Sequence, residues 1–158
     1  MQMDDWTGTN TFELDLLGRL RKMTDHKGNT VSYTYDAVGN QTDITYPDGS
    51  KTRSFYDAVY NLTSVIDAEK GTYAYVYDDA NRPVKLTYPN GWIEQYTYDA
   101  EGNLLKTVDT DPFQLYNKTP KVKYEYTYDA EGNVLTEFQR DSDATENLKS
   151  RTALPMTR

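Results

Sequence analysis

Short runs of alternating apolar and polar residues recur along this chain at a fixed interval. Val31-Ser32-Tyr33-Thr34-Tyr35 alternates with period two and is rich in β-formers, so it predicts a strand with Tyr33 and Tyr35 on one face. Asp36-Ala37-Val38-Gly39-Asn40 then predicts a turn, in which the aspartate accepts backbone N–H groups and the glycine takes the left-handed position. Thr42-Asp43-Ile44-Thr45-Tyr46 gives a return strand, and Pro47-Asp48-Gly49 a second turn. Tyr88-Pro89-Asn90-Gly91 repeats that second turn, while His26-Lys27-Gly28 and Glu69-Lys70-Gly71 read as weaker versions.

The motif aspartates are Asp15, Asp36, Asp57, Asp78, Asp99 and Asp129, spaced by 21 residues until the last interval of 30. A fixed period of this length marks an array of like structural units. Three residues after each aspartate stand Gly18, Gly39, Tyr60, Asn81, Gly102 and Gly132, and then Arg19, Asn40, Asn61, Arg82, Asn103 and Asn133. Asparagine tolerates a left-handed backbone as glycine does, so Asn81 keeps the turn. Tyr60 predicts local strain or a reshaped turn. Leu20 and Met23, Leu62 and Val65, and Leu105 and Val108 fall three apart rather than two, which a bulge near the turn would restore to one face. A twisted strand packed on both sides is the alternative.

The pattern Tyr-x-Tyr-Asp-x-x-Gly-Arg/Asn, in six copies from about Phe12 to Phe138, resembles the YD repeat of the rearrangement-hotspot (Rhs) family. That family includes the C components of insecticidal toxin complexes, bacterial wall-associated proteins and the teneurins. The resemblance implies a sheet spiralling into a hollow shell that encloses a toxic C-terminal domain or, in teneurins, displays an adhesive surface. It also favours a secreted or cell-surface location. The chain has no copy of the aspartate-based autoproteolytic motif of cargo-carrying members and no toxin domain, so proteolytic release and toxicity are not carried over.

The expected fold is therefore all-β, an antiparallel meander of YD repeats forming a curved, twisted open sheet, a segment of a shell or solenoid. Two strands per repeat give about ten to twelve strands in sequential order. Residues 1–11 read as an N-terminal extension, 12–139 as six repeats with an insertion at about 110–120, and 140–158 as a polar tail of weak helical character. Two prolines bound the insertion, which is most simply a lengthened hairpin loop.

Composition sharpens this picture. At 37% apolar residues and a mean hydropathy of −0.86, a deep aliphatic core is not expected. Fifteen tyrosines against four phenylalanines suit a half-wet sheet, where a ring packs flat and its hydroxyl reaches water or a backbone acceptor. A net charge of −8 with dispersed basic residues opposes binding to nucleic acid or an anionic membrane surface. No run approaches the roughly 18 apolar residues of a membrane helix, and Met1 to Trp6 lacks the basic-then-apolar pattern of a signal peptide. With no cysteine there is no disulfide framework or thiolate metal site.

Catalysis finds little footing. His26, the single histidine, sits in a turn without a marked nucleophile, and the six motif aspartates share one environment where an acid–base pair needs two. They read as turn caps, together with the turn residues Gly18, Gly39, Asn81, Gly102 and Gly132. Calcium wants about six to eight oxygens, and no segment has an EF-hand spacing, so neither metal nor cofactor is expected. Tyr33, Tyr35, Tyr75, Tyr77, Tyr96, Tyr98 and Trp92 read first as packing surfaces and second as a platform for a glycan or a partner. The leading expectation is a non-catalytic wall segment that encloses or docks a partner polypeptide, with self-association through exposed sheet edges. The alternative is a carbohydrate-binding or adhesive surface module using the tyrosine rows.

Overall fold

Two backbone hydrogen bonds close each aspartate turn. In a computed structural model describing residues 1–5, 8–111, 122–141 and 149–152, the Asp36 N–H donates to Asn40 O (2.9 Å) and the Gly39 N–H to Asp36 O (3.3 Å). The same pair recurs at Asp15, Asp57, Asp78, Asp99 and Asp129. The fourth turn residue must then be left-handed: Gly39 has φ 105° and Asn81 φ 59°. Tyr60 adopts φ 69° and still donates to Asp57 O at 3.1 Å. Of the two outcomes expected there, the chain accepts strain and keeps the turn's shape.

Fourteen strands run between the turns among the described residues: β1 (Gln2–Asp5), β2 (Gly8–Leu14), β3 (Leu20–Thr24), β4 (Thr30–Tyr35), β5 (Gln41–Thr45), β6 (Lys51–Tyr56), β7 (Leu62–Asp67), β8 (Gly71–Tyr77), β9 (Pro83–Thr87), β10 (Ile93–Tyr98), β11 (Leu104–Thr110), β12 (Val122–Tyr128), β13 (Val134–Asp141) and β14 (Lys149–Thr152). They fall into two compact units, Met1–Tyr73 and Ala74–Arg158. Within the first, β1 to β7 pair antiparallel in sequential order. Within the second, β8 to β14 do the same. Each unit is thus the all-β antiparallel meander that the alternation predicts.

Pairing extends past the expected ends of the array. Residues 1–11 supply β1, whose Gln2 to Asp5 face Thr11 to Gly8. At the other end Lys149 to Thr152, expected as tail, pair with Gln139 to Thr136. Of the predicted insertion, Thr110 ends β11 and Asp111 follows it; 112–120, like 142–148 and 153–158 of the predicted tail, lie outside the described residues.

Every YD hairpin carries a register shift at its last motif residue. Thr34 faces Asp43 but Tyr35 faces Gln41, so Thr42 bulges out. Equivalent shifts leave Arg21, Thr63, Val84, Leu105 and Leu135 unpaired. The bulge sets Leu20 and Met23 opposite Leu14 and Phe12, and Leu62 and Val65 opposite Tyr56 and Ser54, each set on one face. The third expected pair is off by one: Leu105 is itself the bulged residue, and Leu104 and Thr107 occupy the paired positions.

No described side chain is fully buried. Tyr33 and Tyr35 are half-buried while Thr34 is exposed, and Tyr96 and Tyr98 stand likewise around exposed Thr97. Each unit has one half-buried tyrosine face and one wet face, rather than a core between two layers.

Candidate functional site

The aspartate turn builds more than a reversal. Asp15 Oδ1 accepts the Leu17 and Arg19 backbone N–H groups, both at 2.9 Å, and Oδ2 accepts Arg19 Nε at 2.7 Å. Asp78 repeats this with Ala80 and Arg82. Where asparagine replaces arginine, its side-chain amide takes the same oxygen: Asn40 to Asp36 (2.8 Å), Asn61 to Asp57 (3.1 Å), Asn103 to Asp99 (2.9 Å) and Asn133 to Asp129 (3.0 Å).

These bonds favour the ionised carboxylate. At Asp15 and Asp78 the backbone N–H of the following arginine is the largest influence, and at Asp99 and Asp129 the amide of the following asparagine. All four carboxyls are held below their ordinary 3.8. At Asp36 and Asp57 lost hydration is the largest influence and pushes upward, but bonds from Asn40 and Asn61 among others outweigh it, and the net shift is again down.

Arg19 and Arg82 also reach into the following repeat. Arg19 Nη1 donates to Asp36 O (3.4 Å), and its guanidinium lies 4.6 Å from the Tyr35 ring centroid. Arg82 does the same with Asp99 O (3.0 Å) and Tyr98 (4.7 Å). Both stacks are within cation–π range.

The second motif tyrosine reaches the other way. Tyr35 donates its hydroxyl proton to Leu20 O (2.8 Å), Tyr56 to Gln41 O (3.0 Å), Tyr98 to Pro83 O (2.8 Å) and Tyr128 to Leu104 O (2.7 Å). In each case the acceptor stands beside the bulged residue of the preceding hairpin. A single hydroxyl therefore fixes one repeat onto the last.

Of the residues expected to form a platform, Tyr35 and Tyr98 are thus engaged on ring and hydroxyl alike. Tyr33, Tyr75 and Tyr77 face Ile44, Leu86 and Pro83 across their hairpins. Tyr96 belongs to a different cluster around Glu94, which pattern reading missed, and Trp92 lines the cleft beside it. Tyr88 donates to Glu94 Oε2 (2.9 Å), and Glu94 faces Asp109 directly across β10 and β11. Trp92, Tyr88 and Asp109 line a shallow cleft of about 240 Å³. Burial, then the bond to Glu94, pushes the Tyr88 hydroxyl up to about 12, and the same two causes raise Tyr96. Burial and the Glu94 charge raise the Asp109 carboxyl. The available signal was an acid at Glu94, two residues before Tyr96 and so on the tyrosine face.

Asp25 was also underrated. Its turn closes with both backbone bonds, and Asn29 donates to Asp25 Oδ2 at 2.8 Å, so the hairpin at the opposite edge is capped as a YD turn is. His26 beside it is exposed, and no group of three or more potential metal ligands converges among the described residues.

A family model described as RHS Repeat matches four overlapping windows, residues 15–52, 35–72, 56–92 and 77–112. No curated protein matches the sequence. Solved structures do. The chain is similar to part of TcdB2-TccC3-Cdc42 at 19% identity and TM-score 0.70 over 85% of its length, and to TcdB2-TccC3-TEV at 19% and 0.72 over 89%. The Photorhabdus luminescens Tc holotoxin pore matches at 18% and 0.63 over 91%. The chain spans only 8% to 9% of the length of those chains.

Proposed function

Because the chain belongs to the RHS repeat family, we propose that it serves as a non-catalytic wall segment of an Rhs-type shell and that its tyrosine face encloses or docks a partner polypeptide. The observation that carries this reading is the single layer: among the described residues nothing is fully buried, yet one face of each unit is lined by half-buried tyrosines. Sheets with one apolar face are ordinarily completed by a second layer. Solved chains of like fold are many times longer and belong to assemblies named for several components, which supports the same reading.

The tyrosine-row adhesive module gains less support, since Tyr35 and Tyr98 spend ring and hydroxyl on neighbouring repeats.

The test is photo-crosslinking in the source cells. With p-benzoylphenylalanine at Thr107, paired to Tyr96 and Tyr124 on the tyrosine face, the expected product contains peptides from outside residues 1–158. The same group at exposed Gln95, on the wet face, should give little. Crosslinks from Gln95 alone, or a native product of 18.2 kDa that crosslinks to nothing, would overturn the proposal.

A further inference from the structure

The 21-residue period makes every second turn equivalent, and one of them breaks the rule. The turns at Asp25, Tyr46 and Tyr88 close with the same two backbone bonds, such as Tyr46 N–H to Ser50 O (3.0 Å) and Gly49 N–H to Tyr46 O (2.9 Å). Glycine stands at 28, 49 and 91 in these turns, but Lys70 occupies the equivalent place in the third, and the left-handed residue is Gly71 (φ 97°) one position later. That loop is consequently shorter, 68–70 between β7 and β8 against 46–50 between β5 and β6.

Between the regular turn and its shortened neighbour lies a cleft of about 420 Å³. That volume falls in the range of small-molecule sites. The Tyr46 ring, which is 38% exposed, stands at this cleft with Asp48, Lys51, Asp67, Glu69 and Lys70. Where Tyr35, Tyr56, Tyr98 and Tyr128 each bond a preceding repeat's carbonyl, the Tyr46 hydroxyl among the described residues meets Thr52 Oγ1, at 3.5 Å. Two carboxylates are fixed in place: Asp48 Oδ1 accepts Ser50 N–H (2.9 Å) and Oγ (2.7 Å), and Asp67 Oδ1 accepts Glu69 N–H (3.0 Å) and Lys70 N–H (2.9 Å).

Three carboxylates and two ammonium groups leave the cleft close to electrical balance, which suits a neutral ligand better than an anion or a metal cation. An aromatic ring flanked by fixed acceptors and flexible donors matches a ligand with apolar C–H faces and a rim of hydroxyls. We propose that this cleft binds a neutral sugar ring, with Tyr46 stacking on its face, Asp48 and Asp67 accepting from hydroxyls, and Lys51 and Lys70 donating to them. The site is independent of the shell reading, because it lies at the turn edge rather than on the tyrosine rows.

Titration of the isotopically labelled full chain with maltose, cellobiose and chitobiose, followed by NMR, tests this. At least one disaccharide should shift the amide signals of Ser50, Lys51, Glu69 and Lys70 saturably, leaving those of Arg82 and Tyr98 in place. Tyr46→Ala should weaken that binding by about tenfold or more, while Tyr46→Phe, which keeps the ring, should retain it. The proposal is overturned by an absence of saturable shifts up to about 50 mM of each sugar. Binding unchanged in a folded Tyr46→Ala variant, or a response to inorganic phosphate alone, overturns it equally.

Discussion

Two residues carry evident local cost. Tyr60 holds a left-handed backbone where its counterparts are glycine or asparagine. Tyr60→Gly should therefore stabilise the chain by about 1 kcal/mol, less what glycine's freedom in the unfolded state takes back. A lower urea midpoint in the glycine variant would show that the 58%-exposed ring makes a compensating contact. Asp109 faces Glu94, a like charge, in a half-buried setting that raises its carboxyl pKa. A raised native pKa means ionisation costs more in the folded than in the unfolded chain, so this residue's destabilising effect grows as pH rises past 3.8. Asp109→Asn should raise the melting temperature at pH 7 and change it little at pH 3. An equal gain at both would point to amide bonding rather than relief of charge. Neither cost was fully legible beforehand: the Tyr60 substitution announces itself in the motif, but the Glu94–Asp109 encounter depends on a register spanning two strands.

At the scale of the element, the hairpin was legible in its parts and incomplete in its joints. Alternation located the strands, and the turn residues located the reversals, because both signals are local. The bulge was inferred from a three-residue spacing, yet its position had to be seen, and Leu105 was misassigned for that reason. The joints are long-range: Tyr35 hydroxyl to Leu20 carbonyl and Arg19 to Asp36 carbonyl each link one hairpin to the next. Tyr35→Phe keeps the ring and removes one such bond, so it should cost about 0.5–1.5 kcal/mol in denaturant unfolding. If repeats are coupled by nearest-neighbour contacts, the loss should also broaden the transition by weakening one interface selectively. A cost near zero would mean that water replaces the carbonyl partner fully.

For the molecule as a whole, the turn aspartates act in concert. Asp15, Asp25, Asp36, Asp48, Asp57, Asp67, Asp78, Asp99 and Asp129 all have carboxyl pKa values held below 3.8. A depressed native pKa contributes stability above the unfolded value and loses it as pH falls through the folded value. Circular dichroism should therefore show unfolding that sets in below about pH 3.8, with the melting temperature flat across neutral pH. Full β signal and an unchanged melting temperature at pH 2 would refute that shared dependence. The period, the all-β meander and the capped turns can be read from the chain alone, since each rests on contacts within one hairpin and is written into one 21-residue copy. Folding in three dimensions was needed to reveal that the motif tyrosines bond backward and the arginines forward, that Glu94 meets Asp109, and that a shortened loop opens a cleft beside Tyr46. Those features arise between hairpins, where distance along the chain no longer reports distance in space.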